Sequence, residues 1–312
     1  MDIERDPVRV WDLLDDYLDS AAHRRLAVST RREYARVAAH VSKDIGHVAT
    51  AEIDRRWLRG VRDRWARAGH RAASLRLQVL KNAIQPLIDD DALTSGLFDR
   101  LNRVRAAGPA IEPHPVWKEA EFAAVVRSAG HLPGLVRALG LARYAGLRRE
   151  DLCRIPNSAR IREDGRARLA WKTGKGEVAV NHLEDARLTR LLDKETPERG
   201  WSVAYNRKGE PWAPRQLSQA LQRVLARAEA KGLVRRGLTW HGLRHSRGVE
   251  LAEAGCSDAI IMAQLGHTTD RSAQIYRRQA NRRTLGDVGQ ALVDAKLGAN
   301  QHLIPGMEFS GG

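Results

Sequence analysis

Residues 238–278 read LTWHGLRHSRGVELAEAGCSDAIIMAQLGHTTDRSAQIYRR, and this stretch decides how the second half of the chain folds. His241 and Arg244 stand three residues apart, so one helix would place both side chains on the same face. Gly255 is the expected end of that helix, because glycine readily takes the left-handed conformation found at helix C-termini. The stretch therefore predicts a helix that presents a histidine and an arginine toward one point.

A second helix is predicted directly after the first. Ser257 can cap its start, and Gly266 ends it just before His267. Tyr276 follows His267 by nine residues. The apolar residues expected to anchor this second helix are Ile260, Ile261 and Leu265.

The region upstream is predicted to open with helices. One is expected to start at about Glu119, and another helical pattern spans residues 135–144 and stops at Gly146. Arg148 comes just after that stop, in the run YAGLRREDL. The pattern thus places a second arginine immediately beyond a helix end.

The spacing then becomes that of strands. RARLAWK, residues 166–172, alternates with a period of two. Asp164-Gly165 before it is a hairpin signal, and residues 173–176, TGKG, form a second turn. We expect a small three-stranded antiparallel sheet inside a helical domain, with helices resuming from Ala213.

The first hundred residues have helical spacing. Residues 54–70 interleave six arginines with Trp57 and Trp65. A helix here could lay its arginines on phosphates while its tryptophans face the core. The arginines predicted to contact DNA are Arg55, Arg59 and Arg62. A break follows at residues 106–115, which hold one glycine and three prolines, the composition of an interdomain linker.

Charge narrows the class of partner. The formal net charge is +15, and residues 20–88 carry 15 Lys and Arg against 5 Asp and Glu, a net +10. This balance suits a polyanion such as DNA, although a solvated cationic surface would have the same composition. No run of 18 apolar residues predicts a membrane span. The charged N-terminus rules out a secretory signal peptide, and two isolated cysteines fit a reduced cytoplasmic, nucleoid-associated protein.

Taken one at a time, these residues also have ordinary interpretations. Tyr276 could be one more half-buried tyrosine, and Arg148 beside Arg149 could be a surface charge pair. His241 and His245, four residues apart, could suggest a metal, but no further residues with metal-ligand spacing complete such a site. Neither a metal nor a cofactor is therefore expected.

Four motifs together resemble one family. AGLRREDL, the KTGKG hairpin, HGLRHS and LGHTTDRSAQIY follow in the order and near the spacing seen in the tyrosine recombinases, which include the phage integrases. The resemblance covers roughly residues 118–283. It implies a mainly α fold with a small antiparallel β-sheet in two domains: a helical core-binding (SAM-like) domain over 1–106, a linker over 107–117, a catalytic domain over 118–285, and a tail with a short helix over 286–312.

The resemblance also implies a mechanism of DNA strand cleavage and rejoining. Tyr276 would attack the scissile phosphate, form a 3′-phosphotyrosyl link and free a 5′-hydroxyl. Arg148 and Arg244 would clamp the non-bridging oxygens, a task suited to the planar guanidinium. His241 would take or shuttle the tyrosine proton, and His267 would hydrogen-bond the phosphate region.

The sequence departs from the family pattern after Arg148. Arg149, Glu150 and Asp151 stand where an apolar residue, a small residue and Glu are usual, and Asp151 is expected to orient Arg148. Lys172 is the expected acid that protonates the leaving 5′-oxygen, although Lys175 lies on the same hairpin.

Other functions remain open from the residues. They are a type IB topoisomerase-like enzyme, a DNA-binding protein whose catalysis has lapsed, and a nonspecific basic chromatin-type protein. Within the recombinases, the role could be to integrate, excise, invert or resolve a DNA element. The expected partners are double-stranded DNA sites and a tetramer of the chain itself. Because the core-binding helices begin near Val10, recognition of simple core sites without an arm-binding domain is expected.

Overall fold

The structure is a computed structural model that describes residues 7–99, 101, 114–174, 176–194 and 201–299. The chain divides into two compact units, residues 1–111 and 112–312. Residues 107–113 of the predicted linker lie outside the described residues. Its last part is not a free connection, because Trp117 is buried and its backbone N–H donates to Ser246 in the second unit at 2.8 Å.

The first unit is helical, as its spacing predicts. Its core collects the apolar face of each long helix, including Leu14, Ile45, Leu58 and Leu80, all fully buried. The described helices are α1 (Val10–Asp19), α2 (Ala21–Arg24), α3 (Val28–Ile45), α4 (Arg55–Arg67) and α5 (His70–Asp89).

The second unit packs helices around a small sheet. Its main hydrophobic core is formed by buried side chains between Trp117 and Leu243 in the sequence, most of them on the helices. The helices in the described residues are α6 (Glu119–Ser128), α7 (Pro133–Gly140), α8 (Arg149–Leu152), α9 (Ala186–Asp193), α10 (Pro214–Ala230), α11 (Trp240–Glu253), α12 (Asp258–Leu265), α13 (Asp270–Gln279) and α14 (Arg282–Ala299). A π-helical turn, Leu141–Ala145, continues α7.

The predicted three-stranded antiparallel sheet is present. It consists of β1 (Arg160–Glu163), β2 (Arg166–Lys172) and β3 (Ala179–Leu183), in that spatial order. Asp164 and Gly165 both have positive φ, 50° and 74°, as the tight turn of a two-residue hairpin requires. The β2–β3 register pairs Lys172 with Ala179, so Lys172 ends the strand at the hairpin tip.

Three expectations about helices are wrong. Helices resume at Ala186, well before Ala213, because Asp185 caps α9 with its side chain directly after the sheet. Ile260 does not anchor α12, since it is 48% exposed while Ile261 and Leu265 are buried.

The third concerns the tail helix. The short tail helix was expected within residues 286–312. Instead α14 begins at Arg282, where the side chain of Asn281 accepts a hydrogen bond from the Arg283 N–H at 2.9 Å. Asparagine before a helix satisfies its free N–H groups, so the helix starts directly after Asn281.

None of the helices within the described ranges is long and apolar enough to cross a membrane.

Candidate active site

The C-terminal ends of the π-helical turn and of α12 pack closely against each other in the second unit. Gly146 follows the π-helical turn with φ 70°, and Gly266 follows α12 with φ 61°. A Cβ on Gly146 would clash with the side chain of Leu265, and one on Gly266 would lie 2.8 Å from Thr173 and 2.9 Å from Val180. Glycine is required at both positions by conformation and by space, so the two turns approach each other and the β2–β3 hairpin closely.

The two predicted arginines are held by the carbonyl oxygens of these turns. Arg244, buried on α11, donates to Gly146 O and, at 2.6 Å, to Leu265 O. Arg148 donates through Nη2 to Gly266 O at 3.1 Å. Its Nη1 is buried without an acceptor among the described residues. Because a buried donor normally has a partner, this nitrogen marks a place where an anion would bind.

Tyr276 lies against the same group of side chains. Its hydroxyl is 3.5 Å from His267 Nε2, and the nearby Arg244 guanidinium acts to lower its pKa. Arg244 Nη2 also donates to His267 Nε2 at 2.7 Å. That nitrogen must therefore carry a lone pair, so the proton of the neutral imidazole is assigned to Nδ1. The structure thus brings Arg148, Arg244, His267 and Tyr276 together.

The surroundings keep the histidine neutral and the tyrosine protonated. Burial, and then the charges of Arg244 and Arg148, lower the pKa of His267 to about 3. Burial raises the pKa of Tyr276, although Arg244 and Arg148 act in the opposite direction. Burial and the Arg148 charge lower the pKa of Arg244 to about 10, which still leaves it charged at neutral pH. A neutral base therefore faces a protonated nucleophile.

His241 stands at the edge of the site rather than at the tyrosine. It lies in the first turn of α11, and its ring meets the ring of His114 edge to face, with centroids 4.6 Å apart. Desolvation, and then the charges of His114 and Arg244, lower the pKa of His241 to about 4. His114 fell in the predicted linker, where nothing in the local sequence marked it as a neighbour of the site.

A cavity of about 420 Å³ opens beside these groups, lined by Arg148, His241 and Arg244 together with Ser218 and Gln222 of α10. Its size and cationic edge suit a sugar-phosphate segment next to the arginines.

Lys172 is on the neighbouring hairpin but points to another partner. Its ammonium forms a 2.8 Å ion pair with Glu177, and both side chains are more than half exposed. Lys175 lies outside the described residues. Asp151 is buried, and its Oδ1 accepts a hydrogen bond from Gly174 N–H at 2.8 Å, which ties the hairpin to α8. Its expected task of orienting Arg148 stays a prediction.

Sequence reasoning missed the ionic cluster behind the site. Arg247, one turn after Arg244, donates to Asp185 at 3.1 Å, to Glu250 at 2.9 Å and to Gln264 at 3.2 Å. Burial alone would raise the pKa of Asp185, but the Arg187 hydrogen bonds and the Arg247 charge lower it to about 2. The cluster joins α11 to α12 and to the start of α9. The one-turn spacing from Arg244 was its only signal in the sequence.

The predicted DNA contacts form one stripe of α4. Arg55, Arg59 and Arg62 stand at offsets of four and seven, beside the buried face that includes Trp65. Arg59 is exposed, Arg55 donates to Asp99 O at 3.0 Å, and Arg62 pairs with Asp63 at 2.6 Å. Trp65 faces the core, as its position among the arginines predicted.

No group of three or more His, Cys, Asp or Glu side chains that could hold a metal ion occurs in the part of the chain that the structure describes.

A buried tyrosine beside two guanidinium groups and a neutral histidine, on helices around a three-stranded sheet, defines the tyrosine recombinase class of domain. Residues 133–283 match the model of the phage integrase family, in agreement with the resemblance that the four motifs carry.

Several known proteins are similar. Tyrosine recombinase XerD of Caulobacter vibrioides is 28% identical over 148 residues, which is 44% of this chain and 46% of that protein, so the chain matches less than half of this relative's length. A lambda integrase dimer bound to a COC′ core site has a TM-score of 0.71 at 23% identity, covering 87% of this chain and 78% of that one. The Tn1549 transposon integrase (residues 82–397) in complex with circular intermediate DNA has a TM-score of 0.71 at 15% identity, covering 92% and 99%. The likeness to these two structures concerns the fold.

Proposed function

We propose that the chain is a site-specific DNA recombinase that cleaves and rejoins strands through a 3′-phosphotyrosyl intermediate. The observation that carries this proposal is the position of the Tyr276 hydroxyl, 3.5 Å from His267 Nε2, the nitrogen that also accepts from Arg244 at 2.7 Å. A scissile phosphate fits between the tyrosine and the unpartnered Nη1 of Arg148. The two cations would then stabilise the charge that develops on the phosphorane oxygens.

The protonation states of Tyr276 and the histidines give the order of the steps in strand cleavage. The Tyr276 oxygen attacks phosphorus as its proton passes to a neutral histidine, and the bond from phosphorus to the 5′-oxygen breaks. His241 stays the proposed acceptor, because the single lone pair of His267 Nε2 already accepts from Arg244 at 2.7 Å. His267, 3.5 Å from the hydroxyl, would orient Tyr276 and bind the phosphate region.

The leaving 5′-oxygen needs a proton, and Lys172 is the proposed donor. The ammonium must leave Glu177 to reach the DNA, and a surface ion pair of this kind holds its partners only weakly. Rejoining reverses the steps: the 5′-hydroxyl of a strand returns its proton to the lysine and attacks the phosphotyrosine. The bond energy is kept in the covalent link throughout.

DNA is the proposed partner of both units. The arginine stripe of α4 would contact phosphates, which supply affinity without sequence readout. Solved structures of similar fold hold DNA, including a lambda integrase tetramer bound to a Holliday junction. We propose the same assembly for this chain, acting to integrate, excise or resolve a DNA element.

The tail supports assembly between copies. Leu285 packs on the cluster around Val249 and Tyr276, so the first turn of α14 is bound to its own unit. Further along, Leu292 is 64% and Val293 50% exposed. An apolar face left uncovered at the end of a helix would be buried by a neighbouring protomer. We propose that this half of α14 docks in trans.

The decisive experiment is to map covalent protein–DNA complexes on DNA from the surroundings of the gene. A recombinase should give adducts at a few positions, each with a phosphotyrosine at residue 276 and a free 5′-hydroxyl. Adducts scattered over plasmids without a target site, together with their relaxation, would identify a topoisomerase instead. Site binding without any adduct would identify a DNA-binding protein that has lost catalysis.

A further inference from the structure

The ring of Tyr276 lies directly on the backbone of α11. A Cβ built on Gly248 would be 2.5 Å from Cδ1 of that ring and 2.6 Å from Cγ and Cε1. Side chains do not approach this closely, so even a methyl group at Gly248 would displace the tyrosine. Glycine costs a helix stability in its interior, and in this helix it provides the space that the tyrosine ring fills.

A second contact fixes the same helix one turn away. His245 Nε2 donates a hydrogen bond to Oε1 of Gln279, and Gln279 stands three residues after Tyr276 on α13. His245 is buried, and its ring centroid is 5.1 Å from that of Tyr276. The His267 ring is also stacked with that of Tyr276, with centroids 5.7 Å apart. His245 and Gly248 thus form a slot on α11 for the tyrosine ring, and Gln279 of α13 is bound to His245.

The remaining described contacts of α13 are an apolar cluster with Ile261 and Leu265 of α12, an exposed ion pair, and a hydrogen bond at its end from Asn281 N–H to Glu253 at 3.0 Å. The other buried residues on its inner face are Ala273 and the capping residue Ala280, which offer small apolar surfaces. Arg277 and Asp258 form a 2.6 Å ion pair, and that arginine is 54% exposed. Because these contacts are weak, the position of Tyr276 depends strongly on the slot.

We propose that Gly248 and the His245–Gln279 pair are positioning residues for the nucleophile. They seat α13 on α11, so that the Tyr276 hydroxyl stays beside Arg244 and His267. Losing either contact lets α13 lift and takes the hydroxyl away from the phosphate site. This seat, the contact of Tyr276 and Gln279 of α13 with Gly248 and His245 of α11, is a property of the free protein. Its effect on cleavage rests on the proposed function.

The seat is tested first without DNA, by nitration of the full chain with tetranitromethane and mass-spectrometric mapping. Gln279→Met, which removes the acceptor, should raise nitration of Tyr276 several-fold through local opening. Buried Tyr144, which donates to Glu119 at 2.7 Å, should stay unchanged as the internal reference. Gln279→Glu keeps an acceptor for His245 and should restore protection. Ile275→Ala, on the exposed face of α13, is the matched control.

Gly248→Ala is tested by a thermodynamic cycle with the tyrosine. The substitution should lower the melting temperature in the wild-type chain and should not lower it in the Tyr276→Ala background, because the clash is with that ring and alanine favours a helix. An equal loss in both backgrounds would show that the glycine serves the helix rather than the tyrosine, and would overturn its assignment.

Cleavage is then followed in single turnover, on a nicked oligonucleotide carrying a mapped adduct site. Gly248→Ala and Gln279→Met should slow adduct formation about 10- to 100-fold, the effect of misplacing a reacting atom by about 1 Å. Site affinity should not change, and Gln279→Glu should recover the rate. Wild-type nitration and rate in Gln279→Met would overturn the proposal. If the wild-type chain forms no adduct while nitration responds as expected, the recombinase function fails and the seat stands.

Discussion

Arg148 Nη2 donates a 3.1 Å hydrogen bond to the carbonyl oxygen of Gly266, the residue immediately before His267. The neighbouring carbonyl, that of Leu265, accepts from Arg244. The end of α12 therefore orients both guanidinium groups and the histidine at once. A shift of this helix end would move three catalytic groups together, and the phosphate site would be lost as a unit.

Arg148→Ala should reduce cleavage far more than binding. Removing a donor that acts on developing charge costs about 3–4 kcal/mol in the cleavage step. A methylphosphonate at the scissile position carries one charge less and should partly relieve the defect. Cleavage rates and site affinity are measured on the same oligonucleotide. An equal loss in both would show that Arg148 merely anchors DNA.

Arg244→Ala provides the contrast. It should show the same cleavage defect and also destabilise the unbound chain, because it leaves the carbonyls of Gly146 and Leu265 without their donor. A buried group left unsatisfied costs about 1–3 kcal/mol. Arg148→Ala should lose less stability than Arg244→Ala, because it leaves one part-buried carbonyl, that of Gly266, without a donor rather than two.

Tyr276→Phe should abolish the covalent adduct and leave site affinity within roughly 1 kcal/mol, since phosphate contacts dominate binding. The phenylalanine ring keeps the packing on Gly248, so the fold should be retained. Denaturing gels score the adduct and a binding assay scores affinity. Adduct formation that persists in this variant would remove Tyr276 from the mechanism.

Lys172→Ala should slow cleavage by about 10² or more, because an alkoxide leaves poorly without an acid. A substrate with a 5′-bridging sulfur should restore the rate, since a thiolate leaves without protonation. Lys175→Ala is the control from the same hairpin. If the sulfur substrate restored cleavage in Lys175→Ala while Lys172→Ala cleaved at nearly the wild-type rate, Lys175 would be the general acid.

The stability of the DNA-free chain should fall as the pH drops below 6.5. His267 keeps a pKa of about 3 in the folded chain against a usual 6.5. Between these values only the unfolded chain binds the proton, so stability is full above pH 6.5 and is lost as the pH falls toward 3. Partial exposure limits the slope to about 1 kcal/mol per pH unit.

Urea unfolding at pH 7, 6 and 5 measures this effect, with His267→Gln as the comparison. The variant should lose less stability than the wild-type chain over that range. Asp185 does not interfere, because its pKa is lowered to about 2 and its contribution is lost only below its usual 3.8. Parallel curves for the two proteins would contradict the low pKa of His267.

The tail is tested by Leu292→Ser with Val293→Ser. Both side chains are exposed in the single chain, so its melting temperature and single-site binding should be unchanged. Docking in trans predicts weaker synaptic complexes and slower recombination, measured by native gel and by product formation. Leu285→Ser, which alters the part bound to its own unit, is expected to lower stability instead. Wild-type synapsis in the double variant would exclude α14 as the coupling element.

The local patterns predicted most elements because each carries its own signal. The Asp164-Gly165 turn, the alternation in β2 and the glycines after α12 and the π-helical turn are legible within a few residues. α9 was missed because Asp185 and the short run after it resemble a loop, and Asp185 also binds Arg247, which lies 62 residues further along the chain.

The part of the site that lies in recognisable motifs could be predicted from the sequence. The spacing indicated Arg148, Arg244, His267 and Tyr276, which the fold brings together. It could not indicate which histidine meets the tyrosine, because that depends on how α13 lies on α11. The contact of His114 with His241 likewise joins residues 127 positions apart, and no periodicity reports it.

The π-helical turn Leu141–Ala145 fixes how many residues the segment before Arg148 must contain. Here the Gly146 N–H reaches back five residues to Leu141 O, where an α-helix would reach back four. Deleting one residue from the turn would let it close as a regular α-helix that is still mostly apolar. Every side chain after the deletion would then rotate by about 100° around the helix axis. Arg148 would then point away from the phosphate. Substitutions among the apolar residues of this turn should thus be tolerated more readily than a single-residue deletion, which would leave a folded domain without its clamp.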